Sequence, residues 1–372
     1  MRIVVERSQF LKSLNHVQSV VERRNTIPIL SNILLQAKGG KIRLTATDLD
    51  VEVVETLGGD IAREGATTVP AHMLHDIVRK LPDGTQIEIV QGPDDKRLSL
   101  HSGRSRFTLQ SLPPEDFPDM TAGDLSHRFS IGASDLKSLI EKTKFAISTE
   151  ETRYYLNGIY LHEVSGPGGE RLRAVATDGH RLAQAEIPRP DGAAGMPGVI
   201  VPRKTVLELS KLIEDLSGEV EIALSNSKIQ FRFDSLILTS KLIDGTFPDY
   251  ERVIPRHNDK VLAVDTRLFA EAVDRVSTIS SEKGRAVKLN IASGRLILSV
   301  NNPESGSAEE EIVADYQADP LDIGFNSRYL LDIAAQFKGE SASFRLADAG
   351  SPTIISDLED ERALYVLMPM RV

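Results

Sequence analysis

One pattern runs through this chain three times. An apolar run that leads into a helix start occurs at Val69-Pro70-Ala71, at Val201-Pro202-Arg203 and at Gly324-Phe325-Asn326. Each is followed downstream by a strand and a phrase around proline: Phe117-Pro118-Asp119, Phe247-Pro248-Asp249 and Met368-Pro369-Met370. The openings repeat as well, since Phe10–Leu14, Leu136–Ile140 and Leu268–Ala272 each follow a short alternating strand. Three diverged copies of one unit is the economical reading. A repeat of roughly 120 to 130 residues is too long for a solenoid unit, so each copy is expected to be a domain with its own core.

The cores must be aliphatic. Hydrophobic residues make up 41% of the chain, yet aromatic residues are only 5% and Trp is absent, so burial falls to Leu, Ile and Val. These sit in alternating runs such as Ile229-Gln230-Phe231-Arg232-Phe233 and Leu296-Ile297-Leu298-Ser299-Val300, the period of half-buried strands. Helical spacing is expected over 6–24, 70–81, 134–145, 202–215, 265–276 and 326–338, one helix at the start and one in the middle of each repeat. In the first of these, Phe10, Leu11, Leu14, Val17 and Val21 form one stripe and Arg7, Lys12 and His16 the polar side. The fold class is therefore α+β, with domains expected at 1–125, 126–257 and 258–372. The joints are short polar links near Thr121–Asp124 and Pro255–Asp259, whereas the Gly-, Ala- and Pro-rich stretch 188–197 reads as a loop inside the second repeat.

With no cysteine, neither a disulfide framework nor a thiolate metal site is available. No run approaches the ~18 apolar residues of a membrane span. A soluble, cytoplasmic protein without a membrane partner is the expectation. The net charge of −10 argues on its face against nucleic acid, but its distribution is uneven: the six helical spans sum to +4, which leaves −14 for everything else. Helices gathered on one side would present a mildly basic face to a polyanion. Ordinary charge-mixed, solvated helix faces explain the same numbers.

The search for catalytic chemistry returns little. The chain has no phosphate-binding Walker loop, no Gly-rich dinucleotide turn, no His-Glu-x-x-His and no Gly-x-Ser-x-Gly. His72 and His75, three apart on a helix, are two potential metal ligands without an evident third, and a solvated face accounts for them. Asp48 and Asp50 read as alternate residues of a strand, both on one face. Thr177-Asp178-Gly179-His180-Arg181-Leu182 places a nucleophile, an acid and a base in sequence, which leaves open a hydrolase or isomerase using Asp178 and His180, although Asp before Gly signals a hairpin turn. No cofactor is expected.

Several phrases in register carry a resemblance to a known family. Arg24–Leu30 (RNTIPIL), Ser102–Phe107 (SGRSRF), Arg153–Gly158 (RYYLNG), Ala176–Ala183 (ATDGHRLA), Thr239–Tyr250 (TSKLIDGTFPDY) and Tyr365–Arg371 (YVLMPMR) resemble the bacterial sliding clamps, the beta subunit of DNA polymerase III, in order along the whole chain. The resemblance implies three repeated DNA-clamp domains with helices inside and antiparallel sheets outside. It further implies a head-to-tail homodimer ring around double-stranded DNA, bound without sequence specificity, and a role as a processivity factor rather than an enzyme. Implied partners are the DNA polymerase III alpha subunit, the clamp loader complex and other proteins with a clamp-binding motif.

The resemblance also implies sites. A peptide groove for those partners falls on Leu156, Thr177, Gly179, His180, Arg181, Leu182, Pro248, Arg252, Val253, Asn326, Tyr329, Val366, Met368, Pro369, Met370 and Arg371. Leu, Val and Met would make an adaptable apolar pocket, with His180, Arg181 and Arg252 as a polar rim. Read from the residues alone, Val366 and Met368 are more simply the last core strand of the third domain. DNA contact falls on Arg24, Arg153, Tyr154 and Tyr155, with Glu150 and Glu151 forming an acidic pair beside Arg153. The dimer interface falls on Arg104, Arg106 and Phe107 of one chain against Ile279, Glu304, Glu309 and Glu310 of the other. No metal site is implied.

Overall fold

The computed structural model describes residues 1–92, 96–120, 123–166, 168–281 and 284–372, so Thr121 and Ala122 of the first expected link lie outside the described residues. Its contacts gather into two compact units: 1–134 with 190–193 and 207–242, and 135–189 with 194–206 and 243–372. Three repeats yield two units because each sheet of the middle repeat is hydrogen-bonded to a sheet of a neighbouring repeat.

In the first unit, one sheet runs in the order β5 (Asp60–Arg63), β1 (Arg2–Glu6), β7 (Gln86–Val90), β8 (Arg97–Ser102), β9 (Ser105–Gln110). The other runs β10 (His127–Gly132), β15 (Glu219–Leu224), β16 (Lys228–Phe233), β17 (Leu236–Lys241), β4 (Val51–Leu57), β3 (Lys41–Thr47), β2 (Asn32–Lys38), β6 (Gly65–Pro70). The repeats meet at β17 and β4, with Leu236 opposite Glu55 and Ser240 opposite Val51.

In the second unit, a nine-stranded sheet runs β14 (Val199–Pro202), β11 (Gly158–Gly166), β12 (Gly169–Thr177), β13 (Arg181–Pro188), β26 (Ala363–Leu367), β25 (Thr353–Asp357), β24 (Ser341–Leu346), β18 (Lys260–Asp265), β22 (Asp315–Tyr316). A four-stranded sheet runs β21 (Gly306–Val313), β20 (Arg295–Asn302), β19 (Ala286–Ala292), β23 (Leu321–Asn326). Here the repeats meet at β13 and β26, with Arg181 opposite Leu367 and Ala185 opposite Ala363. The alternation read from the sequence is realised in β16, where Ile229, Phe231 and Phe233 are buried and Arg232 is exposed.

Among the described residues six α-helices accompany the sheets: α1 (Arg7–Gln18), α2 (Ala71–Lys80), α3 (Ala133–Lys144), α4 (Arg203–Leu212), α5 (Thr266–Ser277) and α6 (Ser327–Ala334). Helix α1 buries Phe10, Leu14 and Val17 and packs on α2, β1, β3 and β4, so it touches both sheets. Helix α5 does the same with Phe269, Val273 and Val276 against α6 and β18 to β21. The starts follow local rules: Glu6, Asp265 and Asn326 each accept a first-turn N–H.

Three helices stop short of their sequence periodicity: α4 by three residues, at Leu212 rather than Asp215, and α1 and α6 by more. Helix α1 ends at Gln18 rather than Arg24, with the Val21 N–H bonded to the Gln18 carbonyl and the Val21 carbonyl bonded to the His72 ring at 2.9 Å. Helix α6 ends at Ala334 rather than Lys338, because one Asp357 oxygen takes the N–H groups of Lys338 and Gly339 at 2.9 and 3.0 Å. The Asp48–Asp50 segment is also corrected. It is a turn, not a strand: Asp48 accepts the N–H of Asp50 and Val51, and Leu49 has φ +78°.

Candidate functional site

That turn recurs at the functional end of the second unit. Thr47 and Thr177 each donate their hydroxyl to a carbonyl four residues on, at 2.9 and 2.7 Å, and each accepts the N–H two residues on, from Leu49 and Gly179. The Asp178 Oδ1 takes the N–H groups of His180 and Arg181 at 2.9 and 3.0 Å, as Asp48 does for Asp50 and Val51. The position needing positive φ is Leu49 in the first copy and Gly179, at +88°, in the second. Glycine fits the latter most easily, since a Cβ there would also stand 2.5 Å from the mobile end of the Arg153 side chain, which would have to shift.

Beside this turn lies a cleft of about 290 Å³ lined by Leu156, Thr177, Gly179, His180, Arg181, Leu182, Pro248, Val253, Val366 and Met368, together with Arg153, Tyr155, Asp249 and Tyr250. Its floor is a buried cluster of Leu156, Val175, Leu182, Ile200, Phe247, Tyr250 and Val366. Val366, on β26 in the middle of the nine-stranded sheet, is thus both core and cleft lining. Val253 is 50% exposed and Met368 41%, so the cleft presents adaptable apolar surface to solvent.

Arg181 is the keystone of the turn. Its Nε donates to Asp178 at 3.1 Å, its two terminal nitrogens donate to Asp332 at 2.6 Å and to the Phe145 carbonyl at 2.8 Å, and the guanidinium lies 4.2 Å from the Tyr329 ring centroid and 5.1 Å from that of Phe145. With these partners, the side chain braces the cleft from beneath rather than offering a free rim charge. Both Asp178 oxygens are likewise taken up by the turn and Arg181. An Asp178–His180 acid–base pair is therefore not assembled. His180 instead faces the Tyr329 ring at 6.4 Å.

The remaining groove candidates, Arg252, Asn326, Tyr329, Pro369, Met370 and Arg371, do not line the cleft. Asn326 caps α6, and Met370 closes a bridge onto Gly324, drawing Pro369 and Arg371 along the chain end. Arg252 is exposed and pairs with Asp249 at 2.7 Å. Burial raises the Tyr329 and Tyr250 phenols above the ordinary value.

Of the DNA candidates, Arg24 is exposed in the loop after α1, and Tyr154 is exposed beside Tyr155, with ring centroids 5.8 Å apart. Arg153 grips Glu150 through two bonds of 2.8 and 2.5 Å, and that pairing raises its pKa and lowers that of Glu150. Sequence reasoning gave Arg153 to DNA alone; here it also lines the cleft, and the signal available was Glu150 three residues before it on a helical turn. Tyr155 was likewise given to DNA alone and also lines the cleft, whereas Asp249 and Tyr250, which lie between the groove positions Pro248 and Arg252, were missed.

Arg104, Arg106 and Phe107 lie in or beside the β8–β9 hairpin on the edge strand β9, and Glu309 and Glu310 on the edge strand β21, with Glu304 in the turn before it. Glu310 is bonded to Arg275 of α5 at 2.6 and 3.0 Å, and the Ile279 carbonyl takes a bond from Asn302. His72 and His75 serve the α1–α2 contact: His72 meets Gln18 and the Val21 carbonyl, and His75 meets Asn15. Among the described residues no cluster of His, Asp and Glu is arranged to hold a metal ion.

A repeated unit of paired helices and antiparallel sheets, welded edge to edge and carrying an apolar cleft at one weld, defines a clamp-type binding protein. Models of the DNA polymerase III beta subunit match the chain as N-terminal domain (1–121), central domain (130–249) and C-terminal domain (251–371). The beta sliding clamp of Caulobacter vibrioides is 55% identical and that of Escherichia coli K12 40%, each over 100% of both chains. Among solved structures, a DnaN sliding clamp from Bartonella birtlesii bound to griselimycin shares 56% identity at a TM-score of 0.97 over 100% of both chains. A Caulobacter crescentus beta sliding clamp shares 55% at 0.98, over 100% of this chain and 99% of that one. The chain belongs to the DNA polymerase III beta subunit family, the bacterial beta sliding clamps.

Proposed function

We propose that this protein is a DNA sliding clamp: two copies close head to tail into a ring around duplex DNA, and each groove tethers a replication protein by a short peptide. The domains are 1–125, 126–257 and 258–372. The tethered partners are the DNA polymerase III alpha subunit, subunits of the clamp loader and other proteins carrying a clamp-binding motif. The protein makes and breaks no bonds of its own, needs no cofactor and works in the cytoplasm. Retention on DNA comes from enclosure, so weak contacts through Arg24, Arg153, Tyr154 and Tyr155 suffice and leave the ring free to slide.

One observation carries the ring. In both joints between repeats, the last strand of one repeat pairs antiparallel with the hairpin strand of the repeat before it: β17 with β4, and β26 with β13. The corresponding strands left over are β9 of the first repeat and β21 of the third, each the last strand at one side of its sheet. Unpaired edges are a liability unless closed, and a second copy closes both in the same way.

The test is retention on nicked circular DNA after loading with the cognate loader and ATP, followed by cutting with a restriction enzyme. Loss of protein on linearisation supports enclosure. Retention after cutting would mean ordinary binding and sink the proposal.

A further inference from the structure

A polar row lies on the sheet that floors the cleft. His162 on β11 stands opposite Arg173 on β12, and Arg173 opposite Glu186 on β13. Over this row sits Tyr250, first residue of the 3-10 turn Tyr250–Val253. Arg173 donates to the Tyr250 oxygen at 3.0 Å and to Glu186 at 2.9 Å, and the Tyr250 oxygen lies 2.9 Å from His162 Nε2. Burial brings the His162 pKa down to about 4, so the ring is neutral near pH 7, and because the Tyr250 oxygen already accepts from Arg173 its O–H is left to donate to Nε2. A second anchor reaches the same histidine: Phe247 stacks on Tyr160 at 4.9 Å, and Tyr160 stacks on His162 at 4.2 Å. Both ends of the segment 247–250 are thereby tied to one buried side chain that does not itself line the cleft.

We infer that His162 and Arg173 are positioning residues for the groove: they latch the Tyr250 hydroxyl, fix the wall that carries Pro248 and Val253, and so set how tightly an extended apolar peptide is held. This rests on the reading of the cleft as a peptide groove. The wall segment has no strand ladder of its own between Lys241 and Lys260. Its placement therefore depends on side-chain anchors, and a pocket of this size loses affinity when one wall drifts. His162→Leu removes the acceptor and keeps an apolar body, His162→Gln restores an acceptor, and Tyr250→Phe removes the hydroxyl while keeping the ring in the floor.

The experiment is fluorescence anisotropy with a fluorescein-labelled five-residue peptide carrying two leucines and a terminal phenylalanine, at a temperature where circular dichroism shows every variant folded. His162→Leu and Tyr250→Phe should each weaken binding about fivefold, and His162→Gln should bind within about twofold of the parent. Equal binding by all four proteins would overturn the latch and leave the groove standing. An equal loss in His162→Leu and His162→Gln would also overturn it, since a purely structural histidine has no use for the restored acceptor. Failure of the parent to bind the peptide would remove the groove reading and this inference together.

Discussion

Arg181 shows how much of a site a single side chain can organise. A guanidinium offers donors in a fixed planar fork, and here three directions of that fork end on Asp178, Asp332 and the Phe145 carbonyl while the faces meet two aromatic rings. Arg181→Ala would leave those acceptors short of a partner inside a largely buried site. The expected loss is about 2 to 3 kcal/mol in chemical denaturation, and Arg181→Lys should recover little of it because an ammonium cannot span the fork. A loss under about 0.5 kcal/mol, ordinary for a surface residue, would show that the brace is not needed. Arg153 poses the opposite case, a cation held by a neighbour. Glu150→Gln leaves its charge uncompensated, so the slope of log DNA affinity against log salt should steepen by up to about one. An unchanged slope would mean that Arg153 does not reach a phosphate. The sequence displayed both residues and the neighbours Glu150 and Asp178, but the other two hydrogen-bond partners of Arg181 lie 36 and 151 positions away, beyond any local pattern.

Elements were legible where their causes are local. The starts of α1, α5 and α6 follow from Glu6, Asp265 and Asn326, each within three residues of the N–H it caps. The ends of α1 and α6 were not, because they are set by His72 and Asp357, groups far along the chain. Asp357 gives this a measurable form. Burial raises its pKa, but the N–H groups of Gly339, Glu359 and Lys338 outweigh burial and bring it below the ordinary value. A carboxyl whose pKa is lower folded than unfolded contributes stability that is complete above the unfolded value of about 4 and is lost as pH falls through the folded one. Asp357→Asn should therefore be less stable than the parent at pH 7, and denaturation near pH 3 should show the gap narrowed. A gap that stays constant with pH would rule out this carboxylate as the anchor of the turn that follows α6. The Asp48–Asp50 turn was misread because Leu at positive φ defies the usual preference; only the likeness to Thr177–Arg181, with Gly179 in the same place, identifies it.

At the scale of the molecule the threefold repeat was plain in the sequence, whereas its continuous sheets were not, since edge pairing depends on which strands end a sheet. Once the joints are known, the repeat also gives the register of the missing one. His16 of α1 pairs with Glu55 of β4 at 2.7 Å, and Arg275 of α5, at the same place in its helix, pairs with Glu310 of β21, which makes Glu55 and Glu310 equivalent. Across the first joint Leu238 faces Val53 and Ile237 faces Val54; across the second Tyr365 faces Ala183. The hairpins align Leu238 with Phe107, since Phe231 pairs with Leu238 as Leu100 pairs with Phe107. Carried to the second chain of the proposed ring, this register would set Phe107 against Ala308 on the helix side and Arg106 against Glu309 on the other. Opposite charges facing each other across a strand pair stabilise it by up to about 1 kcal/mol, and like charges cost about as much. The proposed ring would have two such pairs, so Arg106→Glu should raise the dimer dissociation constant about tenfold or more, read by light scattering across a dilution series. Adding Glu309→Arg in the same chain restores opposite charges at both joints and should recover most of the loss. If the double variant is no tighter than Arg106→Glu alone, the two residues do not face each other and the register is wrong.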